Sequence, residues 1–335
     1  MNKAAYNAKM LALANLSPPR NCVPKGVLAR ARRGHAPGIR PHAREQRVAL
    51  RKPRVARLRS CPAPLWPVHA VYPEAGALLP FDRIVAYYGN FYSTRMGILG
   101  QYPPDEVLAR LKNQIAAWAA ADPATPVMPA IDYIAASAQG TPGRNGKYIL
   151  RMPPDQIEKA LGLADRIHGL LFLDVQPGWS TVPAELPHLA PYLKLPNVEL
   201  ALDPEFALIP GKKPGRYRGT MSAAQINYAA RFLASLVRQY HLPPKILVIH
   251  RFTQRMVSDY RGIRPLPAVE IVMDMDGFGS PSLKIAAYRA FIARQPVQFT
   301  GFKIFYRNDL IRGGRIMTPA QVLRLSPRPS FILYQ

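Results

Sequence analysis

Residues 169–176 read GLLFLDVQ, a short apolar run that ends in the polar residues Asp174 and Gln176. Two later segments repeat this pattern, ILVIH at 246–250 and VEIVMDM at 269–275. Runs that are apolar almost without interruption are typical of strands covered on both faces, as in a parallel sheet. The sequence therefore predicts buried parallel strands with polar residues at their carboxyl ends.

Eight such segments follow Pro80, and helical patterns separate them. The predicted strands are 83–90, 126–133, 169–176, 198–205, 245–251, 269–276, 299–306 and 330–334. Between them, segments such as 105–121 and 222–240 place apolar residues three or four positions apart, as one face of a helix requires. A doubly wound open sheet is the rival, but it often has a glycine-rich phosphate turn after its first strand, where this chain has Tyr87-Tyr88-Gly89-Asn90. We therefore predict one (β/α)8 barrel of the TIM type over 81–335.

The first 80 residues differ from the rest in composition. Residues 1–60 hold fifteen Lys and Arg against one acid, Glu45, and so contribute more than half of the net charge of +25. The segment 20–59 is rich in Arg and Pro and has no sustained apolar period, so it cannot offset the entropy cost of ordering. We therefore predict a disordered basic tail over 1–80.

Three alternatives explain this tail: an arm for nucleic acid or another anionic surface, a degenerate export segment, or an over-extended start site. Nucleic acid is expected as a partner only through the tail, because the rest of the chain is much less basic. No membrane span is predicted, since no apolar run approaches the ~18 residues that a spanning helix needs.

Polar side chains occur at the carboxyl ends of seven predicted strands, where a barrel of this type forms its active site. Three pairs, 174/176, 203/205 and 274/276, are two residues apart and so point to one face of their strand. The predicted functional cleft consists of Asp132, Asp174, Gln176, Asp203, Glu205, His250, Asp274, Asp276, Lys303, Tyr306 and Tyr334.

Asp203 and Glu205 give the most specific indication of chemistry. Close like charges raise the pKa of one carboxyl, which then holds the proton that a general acid must donate to a glycosidic oxygen. The alternative is that Asp203 pairs with an arginine and Glu205 caps a loop. We predict catalytic roles for Glu205 and Asp203, with Asp174 or Asp276 as the second carboxylate.

The other cleft residues are predicted to bind substrate, together with two aromatic residues near strand ends, Tyr88 and Trp179. Their flat rings suit the faces of sugars, although such residues equally serve as packing anchors of loops. Neither a metal nor a cofactor is predicted. His250 is the only strand-end histidine, and an orienting or core role suits it better than metal ligation.

Several segments resemble a family of bacterial exported or lipoprotein-like proteins of unassigned activity. They are YGN at 88–90, MGILGQY at 96–102, LDVQPGW at 173–179, LALDPEF at 200–206, MDGFGSP at 275–281 and GFKIFY at 301–306. The resemblance covers about residues 82–335. It implies a cell-envelope or extracellular setting and carries no known catalytic residues.

The Asp203-Pro204-Glu205 motif is also similar to the strand-four Asp-x-Glu of family 18 chitinases and family 25 lysozymes. A chitinase signature would also have Asp at positions 198 and 201, where this chain has Val198 and Ala201. The similarity implies a glycoside hydrolase-like enzyme with a polysaccharide or other glycan as its partner. The alternative is a non-catalytic envelope protein that binds glycan or another ligand at the barrel mouth.

Overall fold

A computed structural model describes residues 1–16 and 63–335. Its strands, numbered in chain order, are β1 (Arg83–Gly89), β2 (Val127–Ala138), β3 (Ile149–Arg151), β4 (Leu170–Val175), β5 (Val198–Leu202), β6 (Met221–Ser222), β7 (Lys245–Arg251), β8 (Val257–Ser258), β9 (Val269–Met275), β10 (Phe299–Ile304) and β11 (Phe331–Tyr334). Eight of them form a parallel sheet in the order β1-β2-β4-β5-β7-β9-β10-β11, and β1 also pairs with β11. This pairing closes the sheet and confirms the predicted barrel.

The remaining strands are short additions outside the barrel wall. β3 extends β2 as an antiparallel partner, and β6 pairs with β8 in the loops. The helices are α1 (Lys3–Ala14), α2 (Pro104–Ala121), α3 (Pro154–Asp165), α4 (Val182–Leu193), α5 (Ala223–Tyr240), α6 (Pro281–Ala287) and α7 (Pro319–Val322). A π-helical turn, Tyr288–Ala293, continues α6. None of the helices in residues 1–16 and 63–335 is long and apolar enough to cross a membrane.

Local sequence signals set several of these boundaries. Ser222 caps α5 by accepting the Gln225 N–H, and the Gln225 side chain accepts the Ser222 N–H in return, which completes a capping box. Two predicted strands differ from the structure at their ends: β2 continues beyond 133 to Ala138, and β5 ends at Leu202, although the backbone of Asp203 is still extended. Pro204 opens a 3₁₀ turn, Pro204–Phe206, because its fixed φ suits the start of a helical turn and it has no N–H for the sheet.

Apolar side chains divide into two buried clusters on either side of the barrel wall. One cluster lies between the strands and the helices and includes Trp118 of α2 and Leu233 of α5. The other lies inside the barrel and includes Ala130, Phe172 and Val248. Because side chains alternate along a strand, every second residue beyond these positions also points inward. The polar groups at the strand ends therefore follow the inward face.

The end of the barrel opposite the mouth is closed by residues that we predicted to belong to the tail. Tyr6 and Met10 of α1 join the interior cluster together with Leu79. The backbone N–H groups of Leu78 and Leu79 donate to the buried carboxylate of Glu270, at 3.0 and 2.8 Å. The predicted tail is thus corrected at 1–16 and 63–80, which pack on the barrel because they carry apolar side chains that it buries. Residues 17–62, the rest of that prediction, lie outside the described residues.

Candidate active site at the barrel mouth

The predicted polar residues occupy two levels at the carboxyl ends of the strands. Asp132, Asp174, His250 and Asp274 lie at the lower level, where each is fully buried. A cavity of about 420 Å³ opens above them. Its lining includes Tyr88, Gln176, Asp203, Glu205, Asp276 and Lys303. The structure therefore brings ten predicted residues together, but only six of them line the cavity.

A chain of hydrogen bonds joins the lower level to the cavity floor. Tyr88 donates from its hydroxyl to Asp174 Oδ2 at 2.7 Å and accepts from Gln176 Nε2 at 3.2 Å. His250 Nδ1 lies 3.0 Å from Asp274 Oδ2, while its Nε2 lies 4.0 Å from Asp174 Oδ2. His250 of β7 thus lies between Asp274 on the neighbouring strand β9 and Asp174 on β4, across the interior of the barrel.

Burial and mutual repulsion change the protonation of these groups. Burial raises the pKa of Asp132 well above its usual value, and the nearby Asp174 raises it further. Neither oxygen of Asp132 has a hydrogen-bond partner among the described residues, which also disfavours the charged form. Burial alone lowers the pKa of His250, but the bond to Asp274 and the charge of Asp174 outweigh it and raise the value to about 10. His250 is therefore a cation at neutral pH.

An ion pair lies on the cavity floor. Lys303 Nζ is 3.1 Å from Asp276 Oδ1, and it stacks on the Tyr88 ring at 3.7 Å from the ring centroid. Both partners of the ion pair are buried. An ammonium over an aromatic face and beside a carboxylate is held by both, so Lys303 fixes the Asp276 carboxylate at the cavity floor.

Glu205 is the cavity's most exposed carboxyl group, with 30% of its side chain accessible. Partial burial raises its pKa to about 7, and the charge of Asp276 contributes to the rise. Arg218 Nε lies 3.8 Å from Glu205 Oε1 and opposes the rise. Glu205 therefore exists as a mixture of acid and carboxylate near neutral pH.

Asp203 lies beneath Glu205 and is almost fully buried. Its carboxylate accepts the Glu205 backbone N–H at 3.2 Å, which fixes the 3₁₀ turn that carries Glu205. Burial raises the pKa of Asp203 well above its usual value, with further contributions from Asp174 and Asp276. In the structure Asp203 therefore orients Glu205 through this turn, and its raised pKa favours the protonated, neutral form.

Six predicted substrate-binding residues do not line the cavity: Asp132, His250 and Asp274 are buried at the lower level, and Tyr306, Tyr334 and Trp179 lie elsewhere. Tyr306 and Tyr334 stack on each other at 5.4 Å in the layer between strands and helices. There the Tyr306 hydroxyl lies 3.0 Å from that of Tyr87, and Trp118 donates to Tyr334 at 2.9 Å. Trp179 donates to the Lys212 carbonyl at 2.7 Å and packs against Tyr148 in a loop. These placements correct the prediction, because the strand alternation puts Leu333 inside and Tyr334 outside.

Several residues that line the cavity are not predicted from the sequence. They are Arg95, Phe206, Arg218, Phe252, Phe278 and Phe305. The phenylalanines lie in loops within a few residues of a strand end, and Phe305 is two positions beyond the inward-facing Lys303. The same alternation that identified Asp174 and Gln176 thus indicates Phe305 rather than Tyr306. Within the described residues, no group of three or more His, Cys, Asp or Glu side chains is arranged to hold a metal ion.

No protein-family model matches the chain, and no curated protein matches it. Two solved structures of Mycobacterium tuberculosis tryptophan synthase align with it, one of them in an aminoacrylate- and BRD0059-bound form. They are 12% and 14% identical to this chain, cover 78% of it and 88% and 89% of their own chains, and have TM-scores of 0.33. These values are too low to bear on activity.

Proposed function

We propose that the barrel mouth hydrolyses a glycosidic bond, with Glu205 as the proton donor. The observation that carries the proposal is a partly exposed carboxyl group whose pKa is raised to about 7 in the cavity that also holds the Asp276–Lys303 ion pair. Glycoside hydrolases use two carboxyl groups, of which one is protonated and the other is charged. Glu205, whose pKa is raised, and Asp276, which is paired with Lys303, are the groups assigned to these two roles.

The two carboxyl groups have separate roles in this mechanism. Glu205 donates its proton to the glycosidic oxygen as the bond to the anomeric carbon breaks. Asp276 faces the positive charge that develops on the sugar ring, and it acts either on a water molecule or on the anomeric carbon itself. Asp174 does not fill this second role, because it is fully buried beneath Tyr88. Asp203 supports the turn that presents Glu205.

The aromatic lining supports a sugar substrate. Phe206, Phe252, Phe278 and Phe305 surround the carboxyl groups, and flat apolar rings pack well on the faces of pyranose rings. A cell-envelope or extracellular setting stays a prediction that rests on the sequence resemblance. The same holds for the narrower resemblance to chitinases and lysozymes, whose Asp-x-Glu motif matches only at 203–205.

The test is a panel of glycans assayed with the wild type and with Glu205→Gln. Glutamine has nearly the same shape but cannot donate the proton, so turnover should fall by about 10²–10⁴-fold while glycan binding persists. Glu158→Gln, at an exposed position of α3, is the matched control and should leave turnover unchanged. Equal turnover by the wild type and Glu205→Gln would contradict the mechanism. Binding by both with turnover by neither would indicate a non-catalytic glycan-binding protein.

A further inference from the structure

A second cavity of about 730 Å³ adjoins the barrel mouth and shares Glu205 and Arg218 with it. Its other lining residues include Lys212, Arg216 and Arg255. We call this cavity the basic groove. Because Glu205 lies at the border of the two cavities, a chain held at the mouth would continue directly into the basic groove.

The cations of the basic groove are largely uncompensated. Lys212, Arg216 and Arg255 are exposed, and no carboxylate of the described residues lies within 4.0 Å of them. Arg218 has one such neighbour, Glu205 at 3.8 Å. Charges of one sign in a concave surface create a potential that attracts ligands of the opposite sign. The ligand of the groove should therefore be an anion.

We infer that the basic groove binds an acidic stretch of the glycan, so that the substrate is an anionic polysaccharide with carboxylate or phosphate groups next to the cleaved bond. This inference rests on the proposed function and names its substrate class. A neutral glycan would offer no anionic partner to the four guanidinium and ammonium groups of the groove. Tyr217 lines the same groove, is 51% exposed and offers a ring to a sugar face.

A nucleic acid is the other polyanion to consider, and the groove suits it less well. Binding of single-stranded nucleic acid usually combines basic side chains with several aromatic platforms for successive bases. Among the residues that the structure describes, Tyr217 is the one aromatic residue that lines the groove. The groove also ends at Glu205, a group suited to acid catalysis on a glycosidic oxygen.

The test compares two triple variants that change the net charge equally. The groove variant is Lys212→Gln/Arg216→Gln/Arg255→Gln. The control variant is Arg231→Gln/Arg238→Gln/Arg289→Gln, at exposed positions on α5 and the π-helical turn after α6. Binding is measured on full-length protein carrying Glu205→Gln, and turnover is measured with Glu205 intact. The probes are polygalacturonate, poly(glycerol phosphate), a neutral glucan and a single-stranded oligonucleotide.

The groove variant should bind its acidic polymer about 10-fold more weakly than the parent, since each exposed ion pair contributes modestly. The control variant should bind that polymer within about 2-fold of the parent. The preferred polymer then distinguishes carboxylate from phosphate. Equal losses in both variants, preference for the neutral glucan, or tighter binding of the oligonucleotide than of both acidic polymers would overturn the inference.

The two proposals fail separately. If an acidic polymer binds through the groove but the protein with Glu205 intact cleaves none of the glycans, the proposed function fails and the binding inference stands. If the neutral glucan is cleaved faster than both acidic polymers, and the groove variant cleaves every polymer as fast as the parent, the inference fails and the proposed function stands.

Discussion

At the scale of single residues, the state of Glu205 depends on two neighbours of opposite sign. Asp276 raises its pKa and Arg218 lowers it, while burial makes the largest contribution. A general acid must hold its proton, so turnover should decline as the pH rises through the pKa of Glu205, which is about 7. This decline is the alkaline limb of the pH profile of turnover. The pH at which it occurs therefore depends on the residues around the carboxyl group.

Arg218→Gln should move the alkaline limb of turnover to higher pH. Removal of the cation destabilises the carboxylate form of Glu205, so its pKa rises and the proton is retained longer. The measurement is the pH dependence of kcat for the variant and the wild type. Arg231→Gln on α5, which also removes one positive charge, is the control and should leave the limb in place. A limb that stays put or moves to lower pH in Arg218→Gln would contradict the assignment.

A glycine shows how closely the lower level of the site is packed. A Cβ atom at Gly301 of β10 would lie 2.5 Å from Asp274 Oδ1 and 3.0 Å from Asp274 Cβ. Both partners are buried and Asp274 is held by His250, so the carboxyl group has little room to move away. Gly301 therefore makes space for the Asp274–His250 pair. The sequence shows this glycine inside a strand, but not which neighbour requires it.

At the scale of elements, the sequence predicted the barrel strands well because their apolar runs are long and uninterrupted. It predicted the strand ends less well, since hydrophobic pattern does not reveal where a 3₁₀ turn replaces the strand, as at Pro204–Phe206. This matters for the site: Tyr306 was predicted by its closeness to a strand end, whereas alternation from Lys303 leads to Phe305. No sequence pattern indicated the loop residues Arg218 and Phe252, because their positions depend on the conformation that the long loops adopt in the folded protein.

Helix α1 is an element that the composition of the N-terminal segment did not indicate. Tyr6, Met10 and Ala14 are spaced four residues apart and are buried on one face, but the short stripe is followed by an Arg- and Pro-rich segment. Averaging over the first 60 residues therefore hid a helix that closes the barrel. Its backbone is also tied to the barrel, since the Arg328 N–H donates to the Leu13 carbonyl at 2.7 Å.

Met10→Ala should lower the free energy of unfolding by about 2 kcal/mol or more, because truncation of a buried methionine removes apolar contacts and leaves a void. Leu11→Ala is the matched control: Leu11 is 62% exposed, so its truncation should change stability by less than about 0.5 kcal/mol. Urea unfolding of the full-length variants provides the measurement. If Met10→Ala is as stable as the wild type, α1 does not contribute to the stability of the barrel in solution.

At the scale of the whole molecule, the barrel buries carboxyl groups at both of its ends. The mouth contains Asp132, Asp174, Asp203 and Asp274, and the opposite end contains Glu199 and Glu270. Burial raises the pKa of Glu199 to about 7 and that of Glu270 to about 8. Glu199 accepts the Ile246 N–H at 2.5 Å and lies 4.0 Å from Lys245, but these contacts do not cancel the effect of burial.

The pKa shifts of these buried carboxyl groups are all upward, and they make the stability of the folded protein depend on pH. A carboxyl group with a raised pKa keeps its proton in the folded state at a pH where the unfolded chain has lost it. The folded protein therefore binds more protons than the unfolded chain from about pH 5 to about pH 8, and the free energy of unfolding falls as the pH rises. His250 acts in the same direction, since its pKa is raised to about 10. Burial lowers the pKa of Lys245 and Lys284, which opposes the trend toward alkaline pH.

Glu199→Gln should make stability depend less on pH. Glutamine retains an oxygen to accept the Ile246 N–H but does not titrate, so the loss of stability from about pH 5 to about pH 8 should shrink by about 3 kcal/mol, the equivalent of the pKa shift. Urea unfolding at the two pH values measures this difference, and Glu158→Gln on the surface of α3 should behave like the wild type. A wild type that gains stability between these pH values would show that Glu199 and Glu270 are charged in the folded barrel and held by Lys245 and the backbone N–H donors. An unchanged pH dependence in Glu199→Gln would show that Glu199 does not cause it and would leave Glu270 and the groups at the mouth as its source.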